Sequence, residues 1–332
     1  MQIVGEIAQA HDGSLGIAHS YIDVLAETGV DAIKFQTHVA EAESSIHEKF
    51  RTKFSYEDKT RFDYWKRMEF SVEEWKGLKK HCDEKNIEFI SSPFSNAAVD
   101  ILEQIGVQRY KVGSGEVSNF LLLKKIAKTG KPIILSSGMS SFTELDKTIE
   151  FLGEFNNDLS ILQCTTAYPT NPEQWGLNVI PELKSRYNMP VGFSDHSGDI
   201  YACLAAAALG AEILEFHVVF DKRMFGPDAK ASLTIDETKK LVKGVNEINV
   251  SLNNTIDKNE NKQFEELKNI FEKSLAVNKN LSEGSRLQFS DLEAKKPKGL
   301  GIDASNYKNV IGKKIKKDLK KWEFINYKDL HE

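Results

Sequence analysis

Short runs of β-branched and aromatic residues alternate with helix-like segments over the first 250 residues of the chain. Each run is followed by a polar or glycine-containing turn, and then by apolar positions spaced three or four residues apart, as in a helix that packs on a sheet. Eight strand-then-helix units over this length predict a closed (β/α)8 barrel, because an open doubly wound sheet more often has about five to seven strands. The predicted strands span residues 2–7, 32–37, 87–93, 109–114, 132–138, 159–165, 190–196 and 213–219.

The helical segments between these strands carry start and stop signals. Ser141 and Thr234 occupy positions where a side chain caps the first turn of a helix, and several glycines, among them Gly106 and Gly210, stand where helices end. The predicted helices span residues 17–28, 72–85, 97–104, 119–128, 142–151, 180–186, 200–209 and 235–252.

The segment 39–71 interrupts the alternation between the second strand and its helix. It is rich in charged and aromatic residues. In a barrel this connection leaves from the end that carries the active site, so it could cover the site or form a subunit contact. An ordinary decorated loop explains the same composition equally well.

The amino-acid composition of the chain changes after the last predicted helix. Residues 253–270 are polar and charged and predict a linker, whereas 271–332 contain short apolar pieces and predict a small second domain after a catalytic domain at 1–252. From Asp291 to Glu332 there are 11 Lys, no Arg and 7 Asp plus Glu. This excess of lysines either forms a solvated surface or helps to bind an anionic substrate.

Composition restricts the class of protein. The chain has 332 residues with 40% hydrophobic and 28% charged residues, and its net charge of -5 argues against a nucleic-acid partner. Three widely spaced cysteines predict no disulfide framework and fit a reducing cytoplasm. The longest apolar segment, 202–214, is too short to cross a membrane, and the N-terminus does not read as a signal peptide.

Polar residues collect where the predicted strands end, which is where barrel enzymes place their active sites. His196 and His217 close two consecutive strands and predict a two-histidine metal site, although a single histidine at a strand end more often bonds a backbone carbonyl. Hydroxyls and two lysines at other strand ends suit a small phosphate-bearing anion.

The residues at these strand ends resemble those of the sialic acid synthases, which include N-acetylneuraminate, legionaminic acid and pseudaminic acid synthases. The resemblance covers nearly the whole chain. It is carried by G-E-I-A-Q-A-H-D-G at 5–13, I-K-F-Q-T at 33–37, S-S-P-F at 91–94, Y-K-V-G-S-G-E at 110–116, I-L-S-S-G-M at 134–139, C-T-T-A-Y-P-T at 164–170, G-F-S-D-H-S at 192–197, E-F-H at 215–217 and G-P-D-A-K-A-S-L at 226–233. Residues 274–284, 296–302 and 311–314 are similar to the antifreeze-protein-like (SAF) domain of that family.

The resemblance implies a synthase that condenses phosphoenolpyruvate with an N-acylated hexosamine, N-acetylmannosamine or a related 2,4-diacetamido sugar, to give a nine-carbon 2-keto acid and phosphate. It implies Mn²⁺ or Mg²⁺ as cofactor and a domain-swapped homodimer. Glu6, Glu116, His196 and His217 would be catalytic, the two histidines as metal ligands. Phosphoenolpyruvate would be held by Lys34, Ser92, Lys111, Ser114, Ser136 and Ser194, and the sugar would be met by Glu116, Thr166, Tyr168, Asp228 and Lys296.

Five positions depart from the family pattern and are expected to bear on the sugar more than on the reaction. They are Asp12, Thr166, Phe216, Ala229 and Lys296. Lysine at 296 keeps the charge of the family's arginine but loses its planar fork. Two other functions remain open at this point: a barrel metallohydrolase in which the histidines activate water, and a sugar-binding protein without catalysis.

Overall fold

The structure is a computed structural model that describes residues 1–52 and 54–331. The chain divides into two compact units, the first from Met1 to Asn254 and the second from Thr255 onward. The sequence places the end of the barrel domain at residue 252. In the part of the chain that the structure describes, no helix is both long enough and apolar enough to cross a membrane.

The first unit is built on eight parallel strands that close into a barrel, as the sequence predicts. Each strand pairs with the next in chain order, and β1 closes the ring by pairing with β8, with Glu6 opposite His217. A two-residue strand, β9, pairs in parallel with the last two residues of β8. The strands are β1 (Gln2–Glu6), β2 (Ala32–Thr37), β3 (Glu88–Pro93), β4 (Tyr110–Val112), β5 (Ile133–Ser136), β6 (Leu159–Cys164), β7 (Val191–Asp195), β8 (Ile213–Val219) and β9 (Leu233–Thr234).

The helices of this unit surround the barrel. Ser141 and Thr234 accept hydrogen bonds from the backbone in the first turn of their helices, and Gly106 ends its helix in the left-handed conformation, so these boundary signals are confirmed. The helices are α1 (Leu15–Ala26), α2 (Ala40–Glu43), α3 (Arg61–Met68), α4 (Val72–Glu84), α5 (Asn96–Ile105), α6 (Phe120–Ala127), α7 (Phe142–Gly153), α8 (Val179–Tyr187), α9 (Tyr201–Ala208) and α10 (Ile235–Asn253).

The interior of the barrel is filled by one apolar layer that lies below the candidate site. It comprises Val4, Ala32, Ile90, Ile134, Leu162 and Ile213. Because side chains alternate along a strand, the residue two positions further on points into the same interior. Those residues are Glu6, Lys34, Ser92, Ser136, Cys164 and Glu215, and all six line one cavity.

Gly192 fits the same layer from β7. A Cβ atom at this glycine would lie 2.3 Å from the carbonyl oxygen of Ile213 and 2.5 Å from Cδ2 of Leu162. The strand therefore passes the apolar layer without a side chain, and two residues later Ser194 faces the cavity. The apolar layer closes the barrel and leaves a polar layer open at the end where the strands finish.

The insert at 39–71 contains two helices rather than an open loop. Its aromatic residues build a small core of their own around Tyr64, Trp65 and Met68, against which Phe50, Phe54 and Phe62 pack. Arg67 joins the insert to the barrel by pairing with Asp12, with 2.7 Å between nitrogen and oxygen. The insert is thus a packed element on the side of the barrel that carries the cavity.

The second unit has its own apolar core of nine buried residues, among them Leu275, Val310 and Ile325. It contains the antiparallel strands β10 (Ser274–Val277) and β11 (Leu292–Lys295) and the short helix α11 (Glu265–Phe271). The segment predicted as a linker, 253–270, differs from the prediction because most of it belongs to this unit and includes part of α11. The likeness of the second unit to an antifreeze-protein-like domain stays a prediction.

Candidate active site

Four buried charges form the floor of the cavity. Nζ of Lys34 lies 2.9 Å from Oε1 of Glu6 and 3.2 Å from Oε1 of Glu215, and Nζ of Lys111 lies 3.0 Å from the same oxygen of Glu215. The hydroxyl of Ser194 donates to that oxygen as well, at 3.0 Å. Two lysines and two carboxylates balance one another, so the barrel can hold them away from water.

The ionisation of these groups follows from their neighbours. Burial alone would raise the pKa of Glu6, but the charges of Lys34, His217 and Lys111 outweigh it and hold the pKa well below its usual value. Burial likewise opposes the charge on Lys34, yet Glu215 and Glu6 raise its pKa to about 12. Lys111 differs from Lys34, because burial and the charge of the nearby Lys34 lower its pKa although Glu215 acts in the opposite direction.

Serine hydroxyls complete the polar layer beside the lysines. Ser92 is 1% exposed, and its Oγ finds no hydrogen-bond partner among the residues that the structure describes. An orphaned hydroxyl costs about 1–3 kcal/mol when buried, so it indicates a ligand that supplies the missing partner. Ser114, from the turn after β4, and Ser136, at the end of β5, line the same cavity.

Gly138 brings the turn after β5 against these groups. A Cβ atom at this glycine would lie 2.6 Å from Oγ of Ser114, 2.7 Å from Oγ1 of Thr166 and 3.0 Å from Sγ of Cys164. No real Cβ makes contacts this short with three neighbours, so any side chain at 138 displaces at least one of them. Only glycine lets the turn approach Ser114 and Thr166 together.

Gly138→Ala is therefore expected to weaken anion binding at the floor of the cavity by about ten- to a hundredfold, since misplaced binding groups commonly cost that much. Calorimetric titration with phosphoenolpyruvate measures the change. Gly77→Ala is the matched control, because a Cβ there meets nothing within 4 Å and the residue lies inside helix α4. The control should gain about 0.5–1 kcal/mol of stability and bind as the parent does; equal affinity in Gly138→Ala would contradict the packing argument.

The two histidines lie at the edge of the charged floor, with their ring centroids 5.2 Å apart. Nδ1 of His196 lies 3.0 Å from the carbonyl oxygen of Thr165, which fixes the proton on Nδ1 and leaves Nε2 free as a ligand atom. Nε2 of His217 lies 3.3 Å from Oε2 of Glu6. Within residues 1–52 and 54–331, no three His, Cys, Asp or Glu side chains are placed as a closed metal cluster. Two imidazoles fit a divalent ion that keeps other positions for substrate and water.

The βα loops and the insert line the outer part of the cavity, the outer chamber, with Arg51, Glu116, Tyr168 and Asp228 among its residues. The ring of Tyr168 packs on His196 with centroids 4.2 Å apart, and the guanidinium of Arg51 lies 4.0 Å over Tyr168. Arg51 also pairs with Asp228 at 2.9 Å. The whole cavity has a volume of about 440 Å³, within the range of about 300–1,000 Å³ that is typical of small-molecule sites.

Comparison with known proteins identifies the family. The model of the NeuB family matches residues 21–257, which is more than half of the chain. An N,N'-diacetyllegionaminic acid synthase from Campylobacter jejuni is 34% identical over 329 residues, covering 97% of this chain and 98% of that protein. The chain belongs to the NeuB family.

NeuB-family relatives with different names match almost as well. A human N-acetylneuraminate-9-phosphate synthase is 33% identical, with 94% of this chain and 88% of that protein covered. The crystal structure of an N-acetylneuraminic acid (sialic acid) synthetase from Leptospira borgpetersenii, in complex with citrate, superposes with a TM-score of 0.71 at 32% identity over 80% of this chain and 89% of that chain. The eight-stranded barrel is thus the fold of this family, and the prediction from the sequence is confirmed.

Most of the residues predicted for the site in this NeuB-family chain meet at one cavity, although their roles stay predictions. Those that line it are Glu6, Lys34, Ser92, Lys111, Ser114, Glu116, Ser136, Thr166, Tyr168, Ser194, His196, His217 and Asp228. Lys296 lies in the second unit, where its Nζ is 4.8 Å from the centroid of the Phe271 ring.

Of the five departures from the NeuB pattern, Thr166 lines the cavity, whereas Asp12, Phe216, Ala229 and Lys296 do not. For Phe216 and Asp12 the contacts differ from the expected one with the sugar. Phe216 is 1% exposed and packs in the core between strands and helices, because it alternates with Glu215 and His217, which face inward. Asp12 pairs with Arg67 of the insert. Both substitutions therefore concern packing and the attachment of the insert.

Several residues that line the cavity have no role assigned from the sequence, among them Glu215, Gln36 and Arg51. Glu215 forms ion pairs with both buried lysines. Gln36 donates to Oε1 of Glu6 at 2.7 Å, and Arg51 lies over the ring of Tyr168. The first two are polar residues at the ends of predicted strands and alternate with Lys34 and His217, so the sequence places them at the site without giving them a role. Arg51 has no such signal, because it comes from the insert.

Proposed function

We propose that this protein condenses phosphoenolpyruvate with an N-acylated hexosamine in its open-chain form, giving a nine-carbon 2-keto acid and phosphate. The observation that carries the proposal is the buried polar layer, in which two lysines and the unpartnered hydroxyl of Ser92 lie beside two histidines. The names of the legionaminic, pseudaminic and N-acetylneuraminate-9-phosphate synthases among its relatives support the same reaction class.

Phosphoenolpyruvate binds at the floor of the cavity. Lys34 and Lys111 neutralise its charge, and the hydroxyls of Ser92, Ser114 and Ser136 donate to its oxygens. The hydroxyl of Ser194 does the same once it turns from Glu215 to the anion. This anion competes with Glu215 for the two lysines, so its binding replaces part of their attraction to that carboxylate. The enol phosphate is thereby held with C3 toward the histidines.

His196 and His217 would hold a divalent ion, which would supply a Lewis acid for the aldehyde oxygen of the sugar. Of the two metals predicted, imidazole ligands fit manganese better, because magnesium prefers a shell of oxygen atoms. C3 of phosphoenolpyruvate attacks C1 of the aldehyde, water adds at C2, and the bond between C2 and the bridging oxygen breaks, so that phosphate leaves with this oxygen. Side chains of the cavity stabilise the charges that form during these reaction steps.

Glu6 and Glu116 have different parts in these steps. Glu6 stays ionised at neutral pH because its pKa is held low, so it stabilises positive charge at C2 and is a poor base. Burial raises the pKa of Glu116, although a hydrogen bond of 2.7 Å from Asn119 to its carboxylate opposes this. A carboxyl with a raised pKa in the outer chamber suits proton transfer to the new hydroxyl of the sugar.

The experiment is a substrate panel. Protein with manganese and phosphoenolpyruvate is incubated with N-acetylmannosamine, 2,4-diacetamido hexoses and their 6-phosphates, and phosphate release is followed together with 2-keto acid formation. Release that needs a sugar is the expected result. Phosphate release without sugar would favour a metallohydrolase, and binding without any release would favour a sugar-binding protein.

We propose further that the active form is a homodimer in which Lys296 of one copy reaches the sugar chamber of the other. Lys296 is exposed on a unit whose C-terminal part carries an excess of lysines, and the outer chamber holds several carboxylates. Mixing the two variants Lys296→Glu and Glu6→Gln tests this, because hybrid dimers would regain one intact site. A mixture no more active than its components would contradict it.

A further inference from the structure

His38 is buried at the junction between the insert and the barrel. Its ring lies between two aromatic rings, with Trp65 of helix α3 at 4.1 Å and Phe94 at 4.7 Å between centroids, and both are nearly parallel to it. The side chain is 3% exposed. Packing on both faces fixes the plane of the imidazole, so only its two nitrogens are left to act.

Those nitrogens join the insert to the floor of the cavity. Nδ1 of His38 lies 2.6 Å from Oε1 of Glu43, the last residue of helix α2. Since an ionised carboxylate only accepts, Nδ1 carries the proton. Nε2 then has no proton and accepts from Nε2 of Gln9 at 3.4 Å, while Oε1 of Gln36, 3.3 Å away, is itself an acceptor.

Gln36 extends the contact to Glu6. The side-chain amide of Gln9 donates to Oε1 of Gln36, and the amide of Gln36 donates to Oε1 of Glu6 at 2.7 Å. The oxygen of Gln36 thus faces Gln9 and His38, while its nitrogen faces Glu6. Turning this amide over would set an oxygen against the Glu6 carboxylate, so the groups around His38 decide which way it points.

We propose that Glu43, His38, Gln9 and Gln36 form a hydrogen-bonded relay through which the insert positions the Glu6 carboxylate. Glu43 and His38 are then positioning residues that act through Gln36. The proposal rests on the proposed function, because it assigns Glu6 a part in that reaction. It gives the insert a role that a decorated loop does not have.

The insert is braced to hold the relay. Oε1 of Glu69 accepts from the backbone nitrogen of Ala40 at 2.6 Å and so fixes the start of helix α2. Oε2 of Glu43 accepts from the backbone nitrogen of Val39 at 3.2 Å, which leaves Oε1 directed at His38. Helix α2 has four residues, so its own turn could not hold Glu43 in place without these contacts.

A double-mutant cycle between Glu43→Ala and Gln36→Met tests the relay. Each single variant is expected to lower kcat for sugar-dependent phosphate release by about ten- to a hundredfold while leaving the KM for phosphoenolpyruvate within about twofold. The double variant should be no slower than Gln36→Met alone, because Glu43 acts only through Gln36. Glu43→Gln keeps an acceptor for Nδ1 and should recover much of the loss.

Glu41→Ala is the matched control, since Glu41 lies on the same helix and forms an exposed ion pair with Lys66 at 3.4 Å. It should keep the activity of the parent. Losses that multiply in the double variant, or a loss that appears in the KM for phosphoenolpyruvate with kcat unchanged, would overturn the relay.

The same cycle on the midpoint of denaturant unfolding separates this proposal from the proposed function. If the parent releases phosphate with no sugar, the proposed function fails, and coupling in unfolding decides the relay. The double variant is expected to shift the midpoint by less than the two single shifts together. Shifts that add would overturn the relay even in a protein with another activity.

Discussion

His217→Ala is expected to lower kcat by about a thousandfold or more. The variant removes one of the two imidazoles that would hold the metal and the group that lies 3.3 Å from Glu6. A Lewis acid at a developing alkoxide is worth several kcal/mol, and each 1.4 kcal/mol corresponds to a factor of ten in rate. Steady-state phosphate release measures kcat, and electron paramagnetic resonance of Mn²⁺ measures metal binding without any turnover.

His47→Ala is the control for this variant, because His47 is exposed and does not line the cavity. His217→Gln keeps more of the volume and guards against a variant that fails to fold. Parent-like Mn²⁺ affinity and turnover in a folded His217 variant would remove the metal site from the account.

Lys111→Met is expected to raise the KM for phosphoenolpyruvate by about a hundredfold while changing the KM for the sugar little. A hydrogen bond between charged partners contributes about 1.5–3 kcal/mol, and the lysine also neutralises the phosphate or carboxylate that it meets. Glu215 keeps Lys34 at 3.2 Å and Ser194 at 3.0 Å, so the variant leaves no buried carboxylate unpaired and should fold. Initial rates with each substrate varied in turn give both constants.

Lys125→Met is the matched substitution for comparison. Lys125 pairs with Asp100 at 2.6 Å on the outside of the barrel. It should leave both constants unchanged. A Lys111 variant with the parent's KM for phosphoenolpyruvate would move the anion site away from the lysine pair.

The barrel could be predicted because its strands repeat one local pattern. Strands β2 and β8 have the predicted bounds, Ala32–Thr37 and Ile213–Val219. In both, residues that face the helices alternate with residues that face the interior. The fourth strand was predicted at 109–114, whereas it ends at Val112, because Ser114–Glu116 turns into a short 3-10 helix and aims Ser114 at the cavity.

The insert shows where prediction from sequence stopped. Its aromatic residues have no strand period, and its helices α2 and α3 have 4 and 8 residues, too short for a clear helical pattern. Trp65 contacts His38, which lies 27 positions earlier in the chain. Arg51 contacts Tyr168, which lies 117 positions later. Such contacts depend on the closed barrel, so local sequence does not encode them.

In the proposed reaction, carbon–carbon bond formation from phosphoenolpyruvate accompanies cleavage at C2, and the fate of the bridging oxygen shows whether it does. Phosphoenolpyruvate labelled with ¹⁸O at the bridging position is converted in the presence of the sugar that supports turnover, and phosphate and the nine-carbon acid are analysed by mass spectrometry. The label is expected to leave in phosphate, and phosphate and the nine-carbon acid are expected to form in equal amounts. Label retained in the organic product, or phosphate formed without that acid, would contradict it.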